Sequence, residues 1–183
     1  MRREATHLRH CQIRRKTRLG SRFLQIPSPH TPRGLLVQGL DSGHFVTLFL
    51  ARFDPCTHSL VYAGAGHCPG YVLDREGLTK ATLPSQGRPL GLEPAGDFPV
   101  SLGITLEPGD LLCLYTDGIV DAGSSGGSGL FGIERALSIV REHRLETPAK
   151  ILEAIFRAVS DFSQPQDQVD DVTAVIIKVE AHA

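Results

Sequence analysis

The sequence predicts an α+β domain, and three observations carry the prediction. Two pairs of short β-forming runs flank turn-rich segments, which reads as antiparallel hairpins. A five-residue run, Leu111-Leu112-Cys113-Leu114-Tyr115, is apolar at every position, as in a strand covered on both faces. Two amphipathic helical patterns follow, between residues 130 and 162, before a last β-branched run at 172–179.

Size and composition suit this class. The chain has 183 residues, 41% hydrophobic and 21% charged, enough for one domain with its own core. No apolar run reaches the length of a membrane span, and the basic start is not followed by the apolar segment of a signal peptide. The four cysteines, at 11, 56, 68 and 113, have no paired spacing and read as reduced thiols of a cytoplasmic protein. The net charge of −1 conceals an asymmetry. Residues 1–33 hold nine Lys/Arg and one acid, a balance of +8, while the remainder holds ten and nineteen, a balance of −9. A basic arm is one route to nucleic acid, but this one offers little aromatic surface for stacking bases and no helical face. It is read as a leader or linker over residues 1–34, poorly ordered around Pro27, Pro29 and Pro32.

The elements follow in order. Residues 35–40 suit the end of a helix stopped at Gly39 or Gly43. Residues 45–53, Phe-Val-Thr-Leu-Phe-Leu-Ala-Arg-Phe, are apolar on both faces and predict a long strand in mid-sheet. A turn at 54–59 returns the chain into a second strand at 60–65. Ala63-Gly64-Ala65-Gly66-His67-Cys68-Pro69 follows, small enough to let the backbone run close to another element. His67 there is a ligand, a phosphate contact or a structural hydrogen-bonder. Cys56, His58, His67 and Cys68 lack the spacing of zinc ligands. A second hairpin spans 71–83. In the loop Gln86-Gly87-Arg88-Pro89-Leu90-Gly91, Arg88 is a phosphate contact or a surface arginine. A strand is expected over 100–106. Glu107-Pro108-Gly109-Asp110 places Pro and Gly at the centre of a type II turn. After Asp121 comes a Gly/Ser-rich loop. One helix then opens at 130–132 with Ile133, Leu137 and Val140 on one face. A second is capped by Thr147-Pro148, with Ile151, Leu152, Ile155, Val159 and Phe162 inward.

Two acidic sites flank the apolar strands. Asp117 stands where the run 111–115 ends, with Gly118 letting the backbone turn beside it. Asp170 and Asp171 stand where the last strand begins. If those strands are antiparallel neighbours, the carboxylates meet at one sheet end, the oxygen-donor arrangement that Mg²⁺ or Mn²⁺ takes. The same residues serve equally as ordinary turn acids.

The order of motifs says more. Phe45-Val46-Thr47-Leu48-Phe49, Ala63-Gly64-Ala65-Gly66-His67-Cys68-Pro69, Gly87-Arg88-Pro89-Leu90-Gly91, Leu106-Glu107-Pro108-Gly109-Asp110, Tyr115-Thr116-Asp117-Gly118, Phe131-Gly132 and Asp170-Asp171-Val172-Thr173 occur in that sequence. Residues 35–180 thereby resemble the bacterial PPM (PP2C-like) serine phosphatases of the SpoIIE/RsbU type. The resemblance implies an α-β-β-α sandwich of two antiparallel sheets flanked by helices. It also implies two Mn²⁺ or Mg²⁺ ions, with a metal-bound water as the only catalytic group. Asp117 and Asp170 match metal-ligating aspartates, with Asp171 as a substitute or neighbour, and Gly118, His67 and Arg88 are site-adjacent. The implied function is dephosphorylation of a phosphoserine protein such as an anti-sigma-factor antagonist, in partner-switching control of sigma factors. A sensor domain or a second chain is a possible further partner; a membrane is not.

The family also carries a Gly-Asp-Phe-Tyr-Asp-like turn and a Gly-Asp-Val-x-Gly-x-Gly turn, and neither occurs before Phe45. The expectation is therefore an N-terminally incomplete sandwich with an exposed sheet edge. The alternative function is a catalytically inactive remnant or binding module.

Overall fold

The structure, a computed structural model, describes residues 45–54, 56–92, 99–123, 129–163 and 171–180. The leader at 1–34 and the helix end at 35–40 lie outside them. In chain order the elements are β1 (Leu48–Asp54), β2 (Ser59–Ala65), β3 (Gly70–Leu73), β4 (Thr79–Leu83), β5 (Ile104–Thr105), β6 (Leu111–Tyr115), α1 (Asp117–Val120), α2 (Ile133–Glu142), α3 (Pro148–Ser163) and β7 (Ala174–Lys178). They form two antiparallel sheets, β1-β2-β5 and β4-β3-β6-β7, with helices, which is the α+β class the sequence predicts. The described residues divide into a larger unit (68–83 and 106 onward) and a smaller one (45–67 and 84–105). No described helix is long and apolar enough to cross a membrane.

In the larger unit β6 lies between β3 and β7, with Tyr71 opposite Cys113 and Tyr115 opposite Ala174. Leu111, Leu112, Cys113 and Tyr115 are buried, as a strand apolar on both faces requires. α3 packs on β7, and α2 packs on α3. The inward residues are those the helical period selects: Leu137 and Val140 of α2, and Ile151, Leu152, Ile155 and Val159 of α3, are buried, while Ile133 and Phe162 are partly buried against them. Thr147 accepts the Lys150 N–H at 3.4 Å at the start of α3.

The turn into β6 has the form its residues dictate. Gly109 has φ +98°, and the Asp110 N–H donates to the Glu107 carbonyl at 2.9 Å, closing a type II turn. Asp110 is buried. Its carboxylate accepts the Glu107 N–H at 2.9 Å and the Lys80 ammonium at 2.8 Å. Lys80 also reaches Glu107 at 2.9 Å, but that carboxylate stands in solvent.

The smaller unit departs from the sequence reading in two places. β1 runs antiparallel to β2, from Leu48 opposite Ala65 to Asp54 opposite Ser59, but it is an edge strand among the described residues. Leu48 and Leu50 are 41% and 39% exposed. An apolar pattern on both faces states what a strand can bury, and not what lies against it. The expected strand at 100–106 shortens to Ile104–Thr105. Beside it Ser101 extends the pairing by another means: its N–H donates to the Tyr62 carbonyl at 2.8 Å, and its hydroxyl accepts the Tyr62 N–H at 3.0 Å.

The small residues at 63–66 do meet another segment. The Gly66 N–H donates to the Gly87 carbonyl at 2.7 Å, and the Gly87 N–H to the Gly64 carbonyl at 3.0 Å. Gly66 has φ +65°, and a Cβ there would overlap the Pro89 ring.

The contrast between the two acids on Lys80 gives a test. Asp110→Ala leaves the ammonium and the Glu107 N–H without their buried acceptor and is expected to cost about 1–3 kcal/mol in urea unfolding. Glu107→Ala is expected to leave the midpoint nearly unchanged.

Candidate metal centre

The β6–β7 ladder closes with Tyr115 opposite Ala174, just before Asp117 on one strand and just after Asp171 in the chain leading into the other. Beyond Tyr115 and Ala174 the Thr116 N–H donates to the Thr173 carbonyl at 2.9 Å, so the strands remain paired up to the last residue before Asp117. The Thr116 hydroxyl accepts the Thr173 N–H at 3.0 Å and lies 3.1 Å from the Asp171 carbonyl, to which it donates. The residue before Asp117 is thus hydrogen-bonded to the segment that begins at Asp171, and Asp117 and Asp171 are both exposed. Asp170 lies outside the described residues.

The sequence reading gave Asp117-Gly118 as a simple turn. The structure instead starts the single-turn helix α1 at Asp117, with the Asp121 N–H donating to the Asp117 carbonyl at 2.8 Å. Four residues are too few to show a helical period, so the pattern could not reveal it. The Gly118 N–H donates to the Asp117 carboxylate at 3.1 Å, and Gly118 itself is buried. The far end of α1 is held too, because the Gly132 N–H donates to the Val120 carbonyl at 2.9 Å and the Phe131 N–H to the Ala122 carbonyl at 2.8 Å. Asp117 is therefore mounted on a strand end, a helix turn and a braced return segment.

Cys68 is a neighbour that local sequence did not announce. Its thiol donates to the Tyr115 carbonyl at 2.6 Å, at the end of β6. Burial pushes this thiol up to about 11, and the nearby Asp117 charge adds to the shift. Burial alone pushes Cys113 up to about 12. His67 and Arg88 belong to the smaller unit, on the two segments joined by the Gly66–Gly87 hydrogen bond. The His67 ring meets Phe49 edge-on, with centroids 6.1 Å apart, and Arg88 is exposed.

Carboxylates at a strand end suit a hard divalent cation in kind. In number the described donors fall short, since no three His, Cys, Asp or Glu side chains among the described residues come together as a metal-binding group.

The family model described as Stage II sporulation protein E (SpoIIE) matches residues 33–180. The chain belongs to the SpoIIE family of PP2C-like phosphatase domains. Protein IcfG of Synechocystis sp. is 31% identical over 137 residues, which cover 75% of this chain and 21% of that protein. Phosphoserine phosphatase RsbU of Bacillus subtilis is 26% identical over 143 residues, 77% of this chain and 41% of that protein. The chain thus spans less than half the length of either relative. The fold is shared with the SiaA-PP2C domain of Pseudomonas aeruginosa, at a TM-score of 0.64 and 24% identity over 73% of this chain and 52% of that one. It is also shared with the PP2C phosphatase domain of SpoIIE from Bacillus subtilis, solved with a fragment of its regulatory domain, at a TM-score of 0.63 and 19% identity over 82% and 43%. Those two likenesses support the fold.

The thiols of this SpoIIE-family domain give a pH test. Both are raised in the folded state above their ordinary value near 9, so the unfolded chain gives up these protons first. Their contribution to stability is complete below that value and is lost as the pH rises toward about 11 and 12. Urea midpoints are expected to hold below pH 9 and to fall above it. Iodoacetamide at pH 8 is expected to label exposed Cys56 well before Cys68, and Asp117→Asn to speed the labelling of Cys68.

Proposed function

We propose that this chain is the phosphatase part of a metal-dependent protein serine phosphatase of the partner-switching type. The observation that carries the reading is the β6–β7 pairing, in which the residue before Asp117 is hydrogen-bonded to Thr173 and to the Asp171 carbonyl. Family membership and the relative named as a phosphoserine phosphatase support it. In this reading Asp117 and Asp170 hold Mn²⁺ or Mg²⁺, with Asp171 as a further ligand or a neighbour. A bound divalent ion there supplies an acidified water and neutralises phosphate charge. Asp117 offers its carboxylate oxygens, one of them oriented by the Gly118 N–H contact, and Thr116 ties its own strand end to the segment 171–173. Arg88 has the guanidinium that suits a phosphate and His67 a ring that can hydrogen-bond, the chemistry expected of them from the sequence. The substrate is a phosphoserine protein such as an anti-sigma-factor antagonist, and a sensor domain or second chain is a further partner. The setting of this reading is cytoplasmic.

A second reading, a binding module without catalysis, has its own support. Among the described residues no three potential metal ligands come together.

Hydrolysis of p-nitrophenyl phosphate by the folded chain, with and without Mn²⁺, separates the two. The phosphatase reading expects Mn²⁺-dependent turnover that Asp117→Asn lowers by more than the about 10–100-fold that loss of an outer-shell partner costs. Absence of turnover from a chain with a cooperative unfolding transition would favour the binding module.

A further inference from the structure

Thr116 occupies the N-cap of α1, where a threonine hydroxyl ordinarily accepts a backbone N–H of the helix's first turn. Here it makes no such bond. The Thr116 backbone is extended, with φ −83° and ψ 160°, and its carbonyl accepts the Ile119 N–H at 3.2 Å. That carbonyl is therefore committed to the helix at the position where the β-ladder would call on it. The hydroxyl takes its place on β7's side. It accepts the Thr173 N–H at 3.0 Å and donates its one proton to the Asp171 carbonyl at 3.1 Å, the Thr173 carbonyl lying farther at 3.5 Å. With the Thr116 N–H on the Thr173 carbonyl, three hydrogen bonds join one residue to the segment 171–173, across 55 to 57 positions of sequence.

We infer that Thr116 is a positioning residue for the divalent-cation site: its hydroxyl clasps the Asp171 segment to the residue before Asp117 and so sets the spacing of the two acidic segments. The inference deepens the phosphatase reading and rests on its cation site. Thr116 touches neither phosphate nor water in this account and acts through the two backbones that carry the carboxylates. The chemistry needed is one oxygen that accepts an amide and donates to a carbonyl at once. Serine and threonine meet it, and valine, of the same shape, does not. A cation site is sensitive to such spacing, because carboxylates held apart cannot share an ion at bonding distance.

The test is Mn²⁺ binding by the full chain, read from the EPR signal of the free aquo ion, alongside urea unfolding without metal. Thr116→Val is expected to weaken Mn²⁺ binding about 10–100-fold, as loss of an outer-shell partner does, and Thr116→Ser to bind like the parent chain. Thr116→Ala is a second hydroxyl-free variant in case the valine chain does not fold. Should a folded hydroxyl-free variant bind Mn²⁺ as tightly as the parent while its unfolding midpoint drops, the clasp is merely structural and the inference is overturned. Should the parent chain itself bind no Mn²⁺, the cation site of the phosphatase reading fails, an outcome distinct from failure of the clasp.

Discussion

The candidate centre depends on the antiparallel ladder between β6 and β7. A sheet has a side-chain period of two, so a slip of one residue would turn every side chain of β7 to the opposite face and displace Asp171 relative to Asp117. The register is pinned at both ends. At one end the Gly109 N–H donates to the Val179 carbonyl and the Val179 N–H to the Asp110 carbonyl, at 2.8 and 2.9 Å, so the type II turn is tied into the sheet. At the other end the Thr116–Thr173 contacts close the ladder. Between them Leu111, Cys113 and Ile176 are buried in one apolar cluster with α2 and α3, which penalises any shift.

This arrangement separates what must be rigid from what must be reached. The strand residues are buried, while Asp117 and Asp171 lie exposed just beyond the paired ends. A carboxylate that is to take up a cation from water has to remain accessible, yet its backbone must not drift. The one-turn helix and its braced exit meet that need for Asp117, and the Thr116 hydroxyl extends the same constraint to Asp171. Cys68, bonded to the Tyr115 carbonyl, adds a third anchor to the end of β6.

Much of this was legible in the sequence, for local reasons. Pro108-Gly109 specified its turn, the five apolar residues of β6 specified a covered strand, and the apolar spacing of α2 and α3 specified their inner faces. Asp117 and Asp171 flank the paired ends of β6 and β7, where the two strand patterns ended and began, while Asp170 lies outside the described residues. What escaped the reading was non-local or too short to have a pattern. The Thr116 hydroxyl finds its partners more than 50 residues away. α1 is one turn long. The exposure of β1 depends on what pairs with it, and its own pattern reported only its capacity for burial. In the strand expected at 100–106, Ser101 keeps one backbone bond to Tyr62 and supplies the other acceptor with its hydroxyl, which no propensity encodes. The small residues at 63–66 were different: they announced a close approach, and Gly87 and Pro89 were found against them.

The account stands most directly on where a cation binds. Crystals of the full chain equilibrated with Mn²⁺ would show it in an anomalous difference map. The account predicts a peak at bonding distance, about 2 Å, from the Asp117 carboxylate, with a carboxylate of the 170–171 pair on the same ion or its water shell. A map in which Asp117 has no cation, while ions occupy other acids of the chain, would contradict it.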